Sequence, residues 1–338
     1  MTRSNLIAVV ASLAFGAADI AATEHLLYVS NERSGDVSVI DSATGAVTAT
    51  IPVGKRPRGI HLSPDGKQVF VALSGSPRAG PGADRERAPA DKTADGIGII
   101  DRAEQKFVRK LDVGSDPEEF AFTKDGKSLV VANEDIATAT IYELSSEKVV
   151  GEVKVSGEPE GVEMNPRSGH VYVTCEEEGE VYVIDPERRV AVAHFAVSAR
   201  PRATGFLPDG SKAYVPSEGE ASIAVIDAHK HTVASTIKLE GQVLPMDATV
   251  SPDGRELYVS TGRGNSIVVI DTRSQAVVTT IPVGGRVWGI ALSPEGDRLY
   301  TANGATNDIS VVDVKTRKEI TRIKVGDGPW GIAVALKL

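Results

Sequence analysis

One unit of about 42 residues recurs seven times along this 338-residue chain, and that regularity narrows the possible folds more than any other feature. The segment Leu26-Leu27-Tyr28-Val29-Ser30-Asn31 aligns with runs opening at Val69, Leu129, Val171, Ala213, Leu257 and Leu299. Each copy continues into a second β-rich run closed by an acid: Asp41, Asp101, Glu143, Asp185, Asp227, Asp271 and Asp313, at intervals of 60, 42, 42, 42, 44 and 42 residues. A third run follows, as in Thr50-Ile51-Pro52-Val53-Gly54 and Thr280-Ile281-Pro282-Val283-Gly284. The fourth, as in Gly59-Ile60-His61-Leu62 and Gly289-Ile290-Ala291-Leu292, runs into a turn such as Asp65-Gly66, Asp125-Gly126, Asp209-Gly210, Asp253-Gly254 or Glu295-Gly296. These dipeptides supply the positive φ that a tight hairpin requires.

Four short runs per unit, dense in Val, Ile, Thr and Tyr and without helical periodicity, define an all-β chain in which each unit is one blade of a seven-bladed β-propeller. Length alone suggests two domains, but a closed ring over residues 26–338 is one. Phase determines the closure. The chain enters mid-blade at Leu26, and it ends on Trp330-Gly331-Ile332-Ala333-Val334-Ala335-Leu336, an inner strand without its hairpin. The C-terminal strand is therefore expected to complete the N-terminal blade and leave no open edge.

At the N-terminus Arg3 precedes an uncharged stretch from Leu6 to Ala18 and small residues through Ala22. This pattern predicts a secretory signal peptide over residues 1–22 and a periplasmic or secreted protein. The apolar run is shorter than the ~20 residues a bilayer span needs, so no membrane insertion is expected. Cys175 is the only cysteine, which rules out an intrachain disulfide, covalent haem attachment through Cys-x-x-Cys-His and a thiolate zinc cluster. The net charge of −9 disfavours nucleic acid and suits a basic protein partner.

Tyr28-Val29-Ser30-Asn31, Tyr172-Val173-Thr174 and the trailing Ile-Pro-Val-Gly and Ser-Pro-Asp-Gly elements resemble the YVTN-type repeat of seven-bladed propellers. Within that group the chain is most similar to exported propellers associated with catabolism by pyrroloquinoline-quinone (PQQ) dehydrogenases. That resemblance implies an accessory or binding role beside a quinoprotein dehydrogenase or a basic cytochrome c, with no cofactor or metal of its own. Similar seven-bladed propellers also include lactonase-like proteins and envelope or DNA-contacting proteins, which supply two alternative readings.

Function is sought where the copies differ. The turn into each inner strand carries Pro in six copies of seven, and the residue after it reads, in ring order, Arg58, Glu118, Glu160, Arg202, Met246, Trp288 and Trp330. In a propeller these positions encircle one channel mouth, giving a charged arc beside an apolar arc that holds both tryptophans. Two residues earlier, Arg56, Asp116, Glu158, Arg200 and Arg286 add a second charged tier. Guanidinium forks opposite indole faces would suit a small anionic or aromatic ligand. The plainer alternative is a self-satisfied rim in which Arg58 meets Glu118 and Glu160 meets Arg202.

The insertion from Ser74 to Asp95, rich in Pro, Gly and alternating charge, is expected to be a mobile loop without regular structure on the same face. On the inner strand, His61 and Glu163 stand out in a column otherwise filled by Ala121, Gly205, Thr249, Ala291 and Ala333. A lactonase-like reaction would use Glu118, Glu160 or His61 to activate water. His229 and His231 share a hairpin with no third metal ligand in the sequence nearby. Hydrolase and phosphate-loop motifs are absent, so the chain reads as a monomeric binding protein rather than a self-sufficient enzyme.

Overall fold

The computed structural model describes residues 25–77, 89–241 and 243–337. The signal peptide expected over residues 1–22 lies outside them, as does the middle of the Ser74–Asp95 insertion. Seven four-stranded antiparallel sheets form the ring. Blade 1 combines Pro329–Leu336 with His25–Asn31, Asp36–Asp41 and Ala46–Pro52, from the channel outward. Blades 2 to 7 follow in chain order, their innermost strands being Ile60–Leu62, Pro117–Phe122, Pro159–Met164, Gly205–Phe206, Ala248–Val250 and Val287–Leu292. No helix among the described residues is long and apolar enough to cross a membrane.

The expected closure is present: Leu26 pairs with Ala335, Tyr28 with Ala333 and Asn31 with Pro329. Arg102 of blade 2 clamps the seam, its buried guanidinium donating to the carbonyls of Leu336 and Gly66 and, at 3.3 Å, to the Tyr28 hydroxyl.

The core lies between blades. One cluster joins Tyr28, Val37 and Val39 of blade 1 to Val69, Val71 and Ile100 of blade 2, and six similar clusters join the other neighbours around the ring. The recurring tyrosines explain the repeat: Tyr28, Tyr172, Tyr214 and Tyr258 are at most 1% exposed and each fills one such interface. Outer strands bury little beyond a residue such as Ile51, Leu111 or Ile281 and are otherwise open to solvent, where Val108 and Ile320 are exposed. The described part of the insertion contains an element not expected from the sequence, a 3-10 turn over Lys92–Ala94 whose start is capped by Asp91 accepting from the Thr93 N–H.

Candidate functional site

The geometry of the mouth begins with backbone conformation. Arg56, Asp116, Glu158, Arg200 and Arg286 all have positive φ, between 43° and 55°, a region that non-glycine residues visit rarely. Each reverses the chain just before the Pro column and delivers it to an inner strand. There the ladder is interrupted by a bulge, between Pro117 and Phe120, between Pro159 and Val162, and between Val287 and Ile290, with an equivalent register shift where Pro329–Leu336 meets His25–Asn31. A bulge breaks the alternation of a strand, so two consecutive residues turn toward the channel instead of one.

Hydroxyls on the second strands hold these bulges and stitch neighbouring blades. The Gly331 N–H donates to Ser30 Oγ (3.0 Å), which donates to the Arg58 carbonyl (2.6 Å). Thr174 does the same between Gly161 (2.8 Å) and the Arg202 carbonyl (3.2 Å), and Ser260 between Asp247 (2.9 Å) and the Trp288 carbonyl (2.6 Å).

All seven ring residues line one mouth cavity of about 540 Å³. Its charged arc is paired internally. Arg58 and Glu118, both under 9% exposed, form an ion pair, and Arg58 also reaches Glu32 (3.4 Å). Arg202 meets Glu160 (2.9 Å), Glu176 and Glu218, while Arg200 meets Glu176 (2.6 Å) and Glu218 (3.2 Å). Guanidinia expected to face an anion are therefore already held by carboxylates. Glu32, Glu134, Glu176 and Glu218 form a tier that the sequence reading missed. They occupy equivalent places directly after the second strands, a column whose acid content was available in the repeat alignment.

Asp116, Glu118 and Glu134 bring carboxylate oxygens within 4.8 Å of one another, the one grouping of this kind among the described residues. Arg58 supplies the countercharge to it. Burial, opposed by Arg58, pushes the Glu134 carboxyl up to about 7. The described ends of the insertion reach the same rim, where Arg56 donates to the Ser76 carbonyl (2.7 Å) and Ser74 donates to Asp116.

On the apolar arc Trp288 and Trp330 stack with centroids 6.3 Å apart, their planes 20° from parallel, and the Arg286 guanidinium lies 4.9 Å above Trp288. The acid tier gives way here to Gly304, where a Cβ would lie 2.9 Å from Trp288 Cδ1, so glycine lets the indole lie flat. Together with Met246, Glu160 and Arg202, the tryptophans line both the mouth and a second cavity of about 200 Å³ deeper in the channel. They form a collar between two compartments.

His61 and Glu163 both open into that inner chamber, although their blades are not adjacent. Glu119 and Asp247 join them, and neither was identified from sequence. His61 Nε2 lies 2.8 Å from Glu119 Oε1, and Asp247 accepts from the N–H groups of Ala248 (2.7 Å) and Ile290 (2.9 Å). Burial works against the charge on His61, but Glu119, with Glu163 and Asp247, outweighs it and raises the imidazole above its ordinary value. Burial pushes Glu163 up to about 7, with His61 opposing, and Asp247 up to about 6 against its two backbone donors. His231 lies elsewhere, its Nδ1 2.9 Å from the Tyr172 hydroxyl. Cys175 is fully buried and burial pushes its thiol up to about 12, which disfavours the thiolate form a nucleophile needs.

Fold and site define a closed propeller whose central channel carries an ionisable chamber beneath a tryptophan collar. The chain belongs to the seven-bladed β-propeller lactonase family, whose description matches residues 22–156 and 164–324. No match is found among curated proteins. Among solved structures it is similar to Kuenenia stuttgartiensis hydrazine synthase, with 20% identity and a TM-score of 0.69 over 82% of this chain and 89% of that one. A functionally unknown protein from Desulfotomaculum acetoxidans DSM 771 shares 16% identity with a TM-score of 0.75, over 92% and 98%. At these identities the likeness concerns the fold.

Proposed function

We propose that this chain is an exported, periplasmic accessory propeller of quinoprotein (PQQ-dependent) alcohol catabolism that binds a small aromatic ligand at the decorated mouth. The observation that carries the binding reading is the collar, where Trp288, Trp330 and Met246 stand half-buried or buried between an open mouth and an inner chamber. Concave sites that combine apolar walls with a few polar groups are where small molecules bind. The resemblance to PQQ-associated propellers supports the quinoprotein setting. Both tryptophans of the protein sit in the collar, so intrinsic fluorescence reports on it directly. Titration with soluble quinones should quench the emission, and Trp330→Ala should weaken the apparent affinity by about tenfold or more, the usual effect of truncating a buried aromatic anchor. An affinity unchanged by Trp330→Ala would overturn the collar site.

A hydrolytic reading is favoured by a separate observation, the His61–Glu119 contact beside a Glu163 that titrates near neutrality. In this reading neutral His61, oriented by Glu119, takes a proton from water attacking a lactone carbonyl. Protonated Glu163 returns one to the leaving alkoxide. His61→Ala or Glu119→Gln should then lower lactone hydrolysis by about 100-fold or more, the typical share of a general base. Hydrolysis that persists in both variants would exclude this chamber as its site.

A further inference from the structure

We infer that the collar and chamber select a small organic cation, an ammonium carried on a compact apolar or aromatic body, in preference to an anion of the same shape. This inference rests on the ligand-binding reading of the mouth and names the chemistry of its occupant.

Charge distribution is the first argument. Among the described residues, the mouth lining carries eight carboxylates against six guanidinia. The arginines that would greet an anion, Arg58 and Arg202, are saturated by acids. Below the collar the imbalance grows: Glu119, Glu160, Glu163 and Asp247 face the chamber against Arg202, which three carboxylates already share, and His61. Narrow, poorly solvated clefts focus a field of one sign, here negative.

The collar is the second argument. Indole faces attract cations through the ring quadrupole. Arg286 already uses the Trp288 ring in this way, at 4.9 Å. Trp330, stacked beside it at the junction of the two cavities, offers the ligand an indole of the same kind. Size is the third argument. A chamber of about 200 Å³ falls below the roughly 300–1,000 Å³ of pockets that hold drug-sized ligands, so the occupant is compact.

A pH signature follows. Glu163 faces His61, Glu119 and Asp247 across the chamber, and Asp247 faces Glu119 and His61. With Glu163 at about 7 and Asp247 at about 6, both carboxyls lose protons as pH rises through this range, and the raised His61 loses its cationic form in the same direction. Each change makes the chamber more negative. Cation affinity should therefore climb from pH 5.5 to pH 8, with proton release on binding below pH 7.

The test uses the mature full-length protein, with calorimetry and tryptophan fluorescence at low salt, and three probes of one shape: benzylamine, benzyl alcohol and benzoate. Benzylammonium should bind about tenfold or more tighter than benzyl alcohol, the scale of a desolvated cation–π contact with a nearby carboxylate, and benzoate should bind weakest. Glu163→Gln and Asp247→Asn should each shrink the preference for the amine, while Trp330→Ala should weaken all three probes. Benzoate binding as tightly as benzylamine, or an amine affinity that falls with rising pH, overturns the charge selection and leaves the collar site standing. Absence of binding by all three probes overturns the inference and the collar site together.

Discussion

Deletion of residues 329–338 is expected to abolish the cooperative unfolding transition of this protein. Pro329–Leu336 is the innermost strand of blade 1, and its removal strips the partner from His25–Asn31 along the whole ladder. Leu27, Tyr28 and Val29, each 0% exposed, lose one of their walls, and the Arg102 guanidinium loses the Leu336 carbonyl. Domains of this kind are stable by only about 5–15 kcal/mol, and an unpaired inner strand beside a breached core removes most of that margin. Near-ultraviolet circular dichroism and a urea melt provide the measurement. A truncated protein that unfolds sharply at nearly the full chain's urea midpoint would show that the ring holds without its closing strand.

The second large effect is expected at Arg202. Its guanidinium is shared by Glu160, Glu176 and Glu218, and Glu176 is only 5% exposed. Removing one partner of a buried ion pair leaves uncompensated charge and costs about 3–5 kcal/mol, so Arg202→Ala should lower the melting temperature markedly. The pH dependence should change as well. Burial acts to raise Glu218, but Arg202, with Arg200, outweighs it and holds the carboxyl below its ordinary value. In the native protein this contribution to stability is present above the unfolded-state pKa and is lost as pH falls through the lower folded one. Without Arg202 the carboxylates are left to burial and mutual repulsion, so protonation relieves the variant. The deficit of Arg202→Ala should therefore be smaller at pH 5 than at pH 7.5, and equal deficits at both values would remove Arg202 as the organising charge of the mouth.

The ring was legible in the sequence because scaffold and decoration separate cleanly in a repeat. Tyr28 and its equivalents, the acids from Asp41 to Asp313 and the Asp-Gly turns recur because every blade packs and turns alike. Arg58, Glu118, Glu160, Arg202, Met246, Trp288 and Trp330 vary because the turn that carries them tolerates any side chain. All seven line one cavity. The chamber beneath them was harder to read. Two of its acids, Glu119 and Asp247, sit in a column that otherwise holds Gly59, Gly161, Ala203, Gly289 and Gly331. That column is small because inner strands nearly touch at the axis: a Cβ on Gly289 would lie 2.6 Å from the Trp330 carbonyl oxygen. Two residues before the His61 and Glu163 column, this column shares its channel-facing side, and the bulge adds the ring residue just before it. Two acids among glycines were the available signal. The ionisation of Glu163 depends on side chains from blades 2, 3 and 6 converging on one small volume, a relation between distant segments that no single repeat displays.

The seam of blade 1 also sets how the ring responds to force. His25 and Leu336 are directly paired, so the chain enters and leaves the sheet at the same end of one antiparallel ladder. Tension applied between these residues loads a single hydrogen-bonded pair at a time and peels the strands apart, whereas shear would load all pairs together. A closure that resists heat cooperatively thus opens mechanically like a zip, with the Arg102 clamp beside Leu336 among the first contacts to part.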